Sequence, residues 1–198
     1  MLTTERLILR PFTAGDAGAF LALAGHWDVA RMTSDIPHPL TSGDARRWLE
    51  PAANEARFAL TVAGEMVGGA GYFIQSSGAA ELGFWLGRAH WGRGLATEAV
   101  KAVVAHGLEH DDAPAFTSAH FTDNPASGRV LAKLGFEPTG TARIHCIARG
   151  VDVAAICYHL PREVAAARLG IEAQPLRSAP QARSGPFSIL LGRLSRSA

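Results

Sequence analysis

The stretch best equipped for chemistry is Trp91-Gly92-Arg93-Gly94-Leu95-Ala96-Thr97-Glu98-Ala99, placed where a strand-type pattern hands over to a helical one. Gly92 and Gly94 admit backbone conformations that other residues resist, and they let a ligand come close. A helix starting behind them exposes unpaired N–H groups at its positive end, which suits a phosphate or pyrophosphate. The same turn also serves as a plain strand-to-helix connection. It is not a P-loop, because Gly-x-x-x-x-Gly-Lys-Ser/Thr is absent, and not a dinucleotide fingerprint, because the third glycine and a preceding parallel βαβ unit are missing.

Other reactive side chains are sparse. Cys146 and Cys157 lack CxxC spacing and fall in strand-type sequence, so they read as buried or half-buried thiols. His106 and His110 stand at i and i+4 on a helical pattern, but Glu109 is off their face and a metal would need a third ligand. They read as a histidine pair at a helix end, where the dipole favours positive charge. Asn124-Pro125 has the form of a helix start.

Elements must position these groups. The 198 residues suit one domain, and 47% hydrophobic with 19% charged residues is a globular composition. A net charge of +1 gives no electrostatic case for nucleic acid or an anionic membrane as main partner. The first dozen residues, with Glu5, Arg6 and Arg10, cannot supply a signal-peptide core, and the apolar region 95–104 is broken by Thr97, Glu98 and Lys101. A cytoplasmic protein is expected.

Alternation over 5–12 predicts a short strand ended by Pro11. Thr13 and Asp16 open a helix over 17–24, and Thr41 or Ser42 caps a second with Trp48 and Leu49 on its apolar face. The stretch 26–40, with Pro37 and Pro39, reads as irregular. Two β-type runs around Gly64-Glu65 form a hairpin, and 79–86 continues the meander. A helix follows from Gly94-Leu95-Ala96, with Val100, Val103, Val104 and Leu108 at helical spacing. Then come a strand over 115–121, a helix over 125–134 ended by Gly135, and strands over 136–144 and 151–160. The order β-α-α-β-β-β-α-β-α-β-β predicts an α/β (α+β) fold, a mixed sheet with helices on both faces. After Pro161 a short Ala-rich helix is expected, and 174–184 has linker composition. Phe187-Ser188-Ile189-Leu190-Leu191 is apolar enough to dock.

TERLILRPF at the start, ELGFWL and HWGRGLATEAV in the middle, and DNPASGRVLAKLGF followed by Asp152 and Tyr158 resemble the GNAT superfamily of N-acetyltransferases. Within it, the chain is similar to the branch holding the ribosomal-protein N-terminal alanine acetyltransferases. The likeness spans about residues 2–160. It divides the chain into an acetyltransferase domain over 1–162 and an unexplained extension over 163–198.

The resemblance implies acetyl-CoA as co-substrate, held in a cleft between two splayed central strands. Backbone N–H groups of Arg93, Gly94, Leu95, Ala96 and Thr97 would hold the pyrophosphate. Asn124 would reach toward the pantetheine arm, and Ser127 would protonate the departing thiolate. Glu81 would serve as the base that frees the amine, with an oxyanion donor near Leu86. The tyrosine that many relatives place four residues before the Gly-Phe pair is Leu131 here. Asn124 as a plain helix cap, Glu81 as a surface carboxylate and Arg93 as a solvated loop residue stand beside these roles.

The acceptor site would fall among Trp27, Met32, Thr33, Ser34 and Asp35, with Arg143 and His145 from the last hairpin. The branch resemblance favours a protein or peptide N-terminus as acceptor. A small-molecule amine, favoured by an acidic pocket, and a non-catalytic acyl-CoA-binding protein are the alternatives. Monomer and homodimer are both compatible with the resemblance.

Overall fold

The structure is a computed structural model that describes residues 1–172. Its strands are β1 (Leu2–Thr3), β2 (Ile8–Pro11), β3 (Glu55–Val62), β4 (Glu65–Ile74), β5 (Ala80–Leu86), β6 (Ala115–Phe121), β7 (Glu137–Cys146) and β8 (Val151–Pro161). Its helices are α1 (Ala17–Ala24), α2 (Trp27–Ala30), α3 (Ser42–Leu49), α4 (Leu95–His110), α5 (Pro125–Leu134) and α6 (Arg162–Leu169). The strands form one sheet in the order β1-β2-β3-β4-β5-β6-β8-β7, antiparallel except for β5 against β6.

Strand alternation sorts side chains to the two faces. Ala80, Leu82 and Leu86 of β5 join the main core with Leu95, Val100 and Val103 of α4 and Leu131 of α5. Trp85 points the other way, into a second cluster with Phe20, Val29 and Ala45 from α1, α2 and α3. Helices therefore cover both faces, as the sequence pattern predicts.

Local signals set most boundaries. Thr41 and Asp44 form a reciprocal capping box at α3. Pro125 opens α5, and Gly135 at φ 91° closes it in the left-handed conformation. The first strand is shorter than the alternation over 5–12 suggests. Thr4 exchanges hydrogen bonds with Leu7, which lifts Glu5 and Arg6 out of strand geometry. The stretch 26–40 is not wholly irregular: His26 accepts from the Asp28 amide and caps the single turn of α2.

Helix α6 packs on α4, with Ala165 and Ala166 buried in the main core. Arg162 donates to the carbonyls of Leu108, Asp111 and Ala113. The apolar run 187–191 lies outside the described residues. Among those described, no helix is long and apolar enough to cross a membrane.

Candidate active site

Strands β5 and β6 pair at only two positions, Ala80 with Phe116 and Glu81 with Thr117. Beyond them β5 stays with β4 and β6 with β8, so the sheet opens into a V. Ser118 Oγ donates to the Leu82 carbonyl across its apex at 3.0 Å. A cavity of about 590 Å³ occupies the opening.

The glycine turn and the start of α4 form one end. Gly92 and Gly94 have φ of 71° and 79°, values that side chains beyond glycine resist. Gly94 is the N-cap of α4, no side chain caps it, and its carbonyl takes only the Glu98 amide. The N–H groups of Leu95, Ala96 and Thr97 thus stand at the positive end of a 16-residue helix, on the cavity wall. Trp91 ties the loop to β5 through its Nε1 bond to the Leu86 carbonyl, 2.7 Å. Arg93 is exposed and off the wall, and its carbonyl is taken by Arg6 Nη1 at 2.8 Å.

The first turn of α5 forms the facing wall. Asn124 Oδ1 accepts from the Ser127 amide at 3.4 Å, so Asn124 caps the helix while also lining the cavity beside Ser127. Arg129 and Lys133, at i and i+4, add positive charge along this wall. Leu131 is fully buried in the core.

Beneath α5 sits His120, which the sequence reading does not single out. Its Nδ1 lies 2.8 Å from the Phe121 carbonyl, so that nitrogen carries the proton. Nε2 then accepts from the Tyr158 hydroxyl at 3.2 Å. The alternation Phe116, Ser118, His120 along β6 is the signal that could have placed it on the α5 face.

Glu81 stands at the apex, the last β5 residue paired to β6. It is 4% exposed, lines the cavity and accepts from Gln75 Nε2. Burial pushes its carboxyl up to about 8, against a smaller lowering effect of the Gln75 bond.

The other end lies on the α1–α3 face. Ser34 is buried and its Oγ has no hydrogen-bond partner. Asp35 accepts from Trp48 Nε1 at 2.7 Å, and burial raises its carboxyl above the ordinary range. Phe12, Trp48, Arg57 and Trp85 complete this wall, none of them expected there. The β7–β8 turn clamps the Arg31–Ser34 backbone: Cys146 Sγ reaches the Thr33 carbonyl, the Ile147 amide the Ser34 carbonyl, and Arg149 Nε the Arg31 carbonyl.

Leu86, Gly94, Leu95, Ala96, Thr97, Asn124, Ser127, Glu81 and Ser34 are brought together around one cavity. Trp27, Arg143 and His145 are not. Trp27 is 43% exposed and packs on His38. Along β7 the alternation turns Ile144 and Cys146 inward, which leaves Arg143 and His145 facing outward, each bonded to Asp152.

The chain matches the family model described as the acetyltransferase (GNAT) domain over residues 6–137. It is 29% identical to the uncharacterized N-acetyltransferase YoaA of Bacillus subtilis, over 82% of this chain and 98% of that protein. To the uncharacterized N-acetyltransferase p20 of Bacillus licheniformis it is 30% identical, over 77% and 92%. Among solved structures, its fold is like that of RimL, the ribosomal L7/L12 α-N-protein acetyltransferase in complex with coenzyme A. That likeness has a TM-score of 0.69, 18% identity, and covers 81% of this chain and 96% of that one. A splayed sheet, an uncapped helix start at a glycine turn and a family match across both lead to one conclusion: the chain belongs to the GNAT family of acetyltransferases, with acetyl-CoA as co-substrate.

Proposed function

We propose that this enzyme moves the acetyl group of acetyl-CoA directly to a primary amine within a ternary complex, with Glu81 as general base. The observation that carries the reading is the position of Glu81: a buried carboxyl with a pKa raised to about 8, at the strand fork between the helix N-terminus and the acceptor end. An amine reacts only when neutral, and a base of that pKa is matched to taking its proton near neutral pH, directly or through one water.

The neutral nitrogen then attacks the thioester carbonyl. The developing oxyanion takes a hydrogen bond from a β5 backbone N–H near Leu86. Collapse breaks the C–S bond, and the thiolate gains a proton from the Ser127 hydroxyl or an ordered water. The second amine proton leaves through the same solvent, so one amide, one thiol and one released proton balance the step. The N–H groups of residues 94–97 hold the pyrophosphate, with Arg129 and Lys133 contributing charge.

For the acceptor, the branch resemblance supports a protein or peptide N-terminus, while Asp35 at the far end supports a small amine. Thiol release from acetyl-CoA across peptides starting with Ala or Ser and a panel of small amines tests the reading. Turnover that Glu81→Gln lowers by about 10²–10⁴-fold supports it. Tight acetyl-CoA binding with no turnover on any acceptor would mean a non-catalytic acyl-CoA-binding protein instead.

A further inference from the structure

Three carboxyl groups line the cavity: acetyl transfer uses Glu81, and Asp123 is held by Arg149. Asp35 is the third. Between Glu81 and Trp85 on the same sheet face stands Gly83, and the β4 register sets Gly71 opposite it. The Arg57 stem covers Gly71, where a Cβ would lie 3.1 Å from Arg57 Cγ, whereas Gly83 lines the cavity without a side chain and leaves a depression one side-chain row, about 7 Å, from Glu81. The next pair is filled: a Cβ on Gly69 would lie 2.7 Å from Trp85 Nε1, so the indole takes that space.

The roof over the depression is polar within aromatic walls. Trp48, stacked on Phe20 with centroids 4.4 Å apart, holds the Asp35 carboxylate through Nε1. Arg57 lies over the Trp48 ring, 4.9 Å from its centroid, and pairs with Glu55 at 2.6 Å. Beside Asp35, Ser34 is 5% exposed with its Oγ unpartnered. Unpartnered buried hydroxyls are uncommon and carry a desolvation cost that a ligand can relieve. An ionised carboxylate accepts about four hydrogen bonds; Asp35 receives Trp48 Nε1 and its own backbone N–H and feels the Arg57 charge, and the cost of burial still outweighs them. A cation flanked by aromatic faces is the group that meets both needs.

We infer that Asp35 anchors the acceptor, and that the acceptor is a small diamine whose second, protonated nitrogen sits against Asp35 and Ser34 while the first reacts beside Glu81. This rests on the transfer reaction proposed above and assigns its acceptor end. The depression at Gly83 takes the carbon chain between the two nitrogens.

The test compares 1,4-diaminobutane, butylamine and an Ala-initial peptide by thiol release, with wild type and Asp35→Asn, which keeps an oxygen for Trp48. Diamine binding to the CoA-loaded protein is followed in parallel by calorimetry. In the wild type, kcat/KM for the diamine is expected to exceed that for butylamine by about ten-fold, and the ratio to fall close to one in Asp35→Asn, because a charge-assisted bond is lost. Equal use of both amines by the wild type, an unchanged ratio in the variant, or preference for the peptide would overturn the assignment. If no amine turns over, Asp35-dependent diamine binding would keep the anchor and sink the transfer reaction; no such binding would sink both.

Discussion

Arg6 and Glu98, 92 residues apart, meet through three contacts: Arg6 Nε to Oε2 at 2.7 Å, the Arg6 amide to Oε1 at 2.8 Å, and Arg6 Nη2 to Oε2 at 2.6 Å. The remaining guanidinium nitrogen holds the Arg93 carbonyl. One side chain from the first turn of α4 thus fixes the arginine that shapes the loop preceding that helix. Glu98→Gln is expected to raise KM for acetyl-CoA about five- to ten-fold, the loss of roughly 1 kcal/mol of charge-assisted bonding, with kcat little changed. Steady-state kinetics with varied acetyl-CoA checks this; a fall confined to kcat would contradict it.

Glu81 gives two pH signatures. As a base it must be ionised, so kcat/KM is expected to rise with pH through about 8, and Glu81→Gln should flatten that limb. For stability the sign is opposite. A carboxyl raised from 4.5 to about 8 by folding makes the native state bind more protons than the unfolded chain between those values. Stability therefore falls as pH rises across that window. Melting of Glu81→Gln should decline less than wild type between pH 5 and 8.

Arg10 grips Asp16 with both Nη atoms, at 2.8 and 2.6 Å, and the Thr13 amide adds a bond of 2.7 Å. The Arg10 bond leads in holding the Asp16 carboxyl down at about 2, against the opposing effect of burial. Its contribution is present above the unfolded value of 3.8 and is lost as pH falls through about 2. Asp16→Asn should cost about 2 kcal/mol at pH 7, and less in acid, by denaturant titration.

Gly128 and Gly18 are both helical, and alanine should act oppositely at them. A Cβ at Gly128 would stand 2.5 Å from His120 Nε2, and a buried ring cannot step aside freely. Overpacking of about 1–3 kcal/mol outweighs the roughly 1 kcal/mol gained in helix propensity, so Gly128→Ala should melt a few degrees lower. At Gly18 nothing lies within 4 Å, and Gly18→Ala should melt higher. Matching shifts in calorimetry would refute this account.

The sequence specified what depends on neighbours along the chain. Asn124, Pro125 and Gly135 bound α5 at the predicted positions and the start of α4 was equally readable, while the hairpin turn falls at Ala63-Gly64, one residue before the expected Gly64-Glu65. The cavity wall on the α1–α3 face was not, because it is a product of register. Phe12, Trp48, Arg57 and Trp85 come from four separate elements, and each alone reads as ordinary core or surface. The Gly71–Gly83 pair exists only once β4 and β5 are aligned. A period of two puts Glu81 and Trp85 on one face of β5, but the burial of Glu81 depends on which strand β5 leaves at the fork. The Glu98 contacts depend on a partner at the far end of the chain.

Arg149 also holds Asp123, just before the α5 turn, through Nη1 at 2.9 Å, while its Nε holds the Arg31 carbonyl ahead of Ser34 and Asp35. One guanidinium is therefore a shared member of both half-sites. A ligand that orders the Asp123–Ser127 turn and one that orders the Arg31–Asp35 segment would therefore draw on the same ordering cost. Cooperativity of that origin would be reciprocal by thermodynamic necessity: whatever factor one ligand lent to the affinity for the other would be returned.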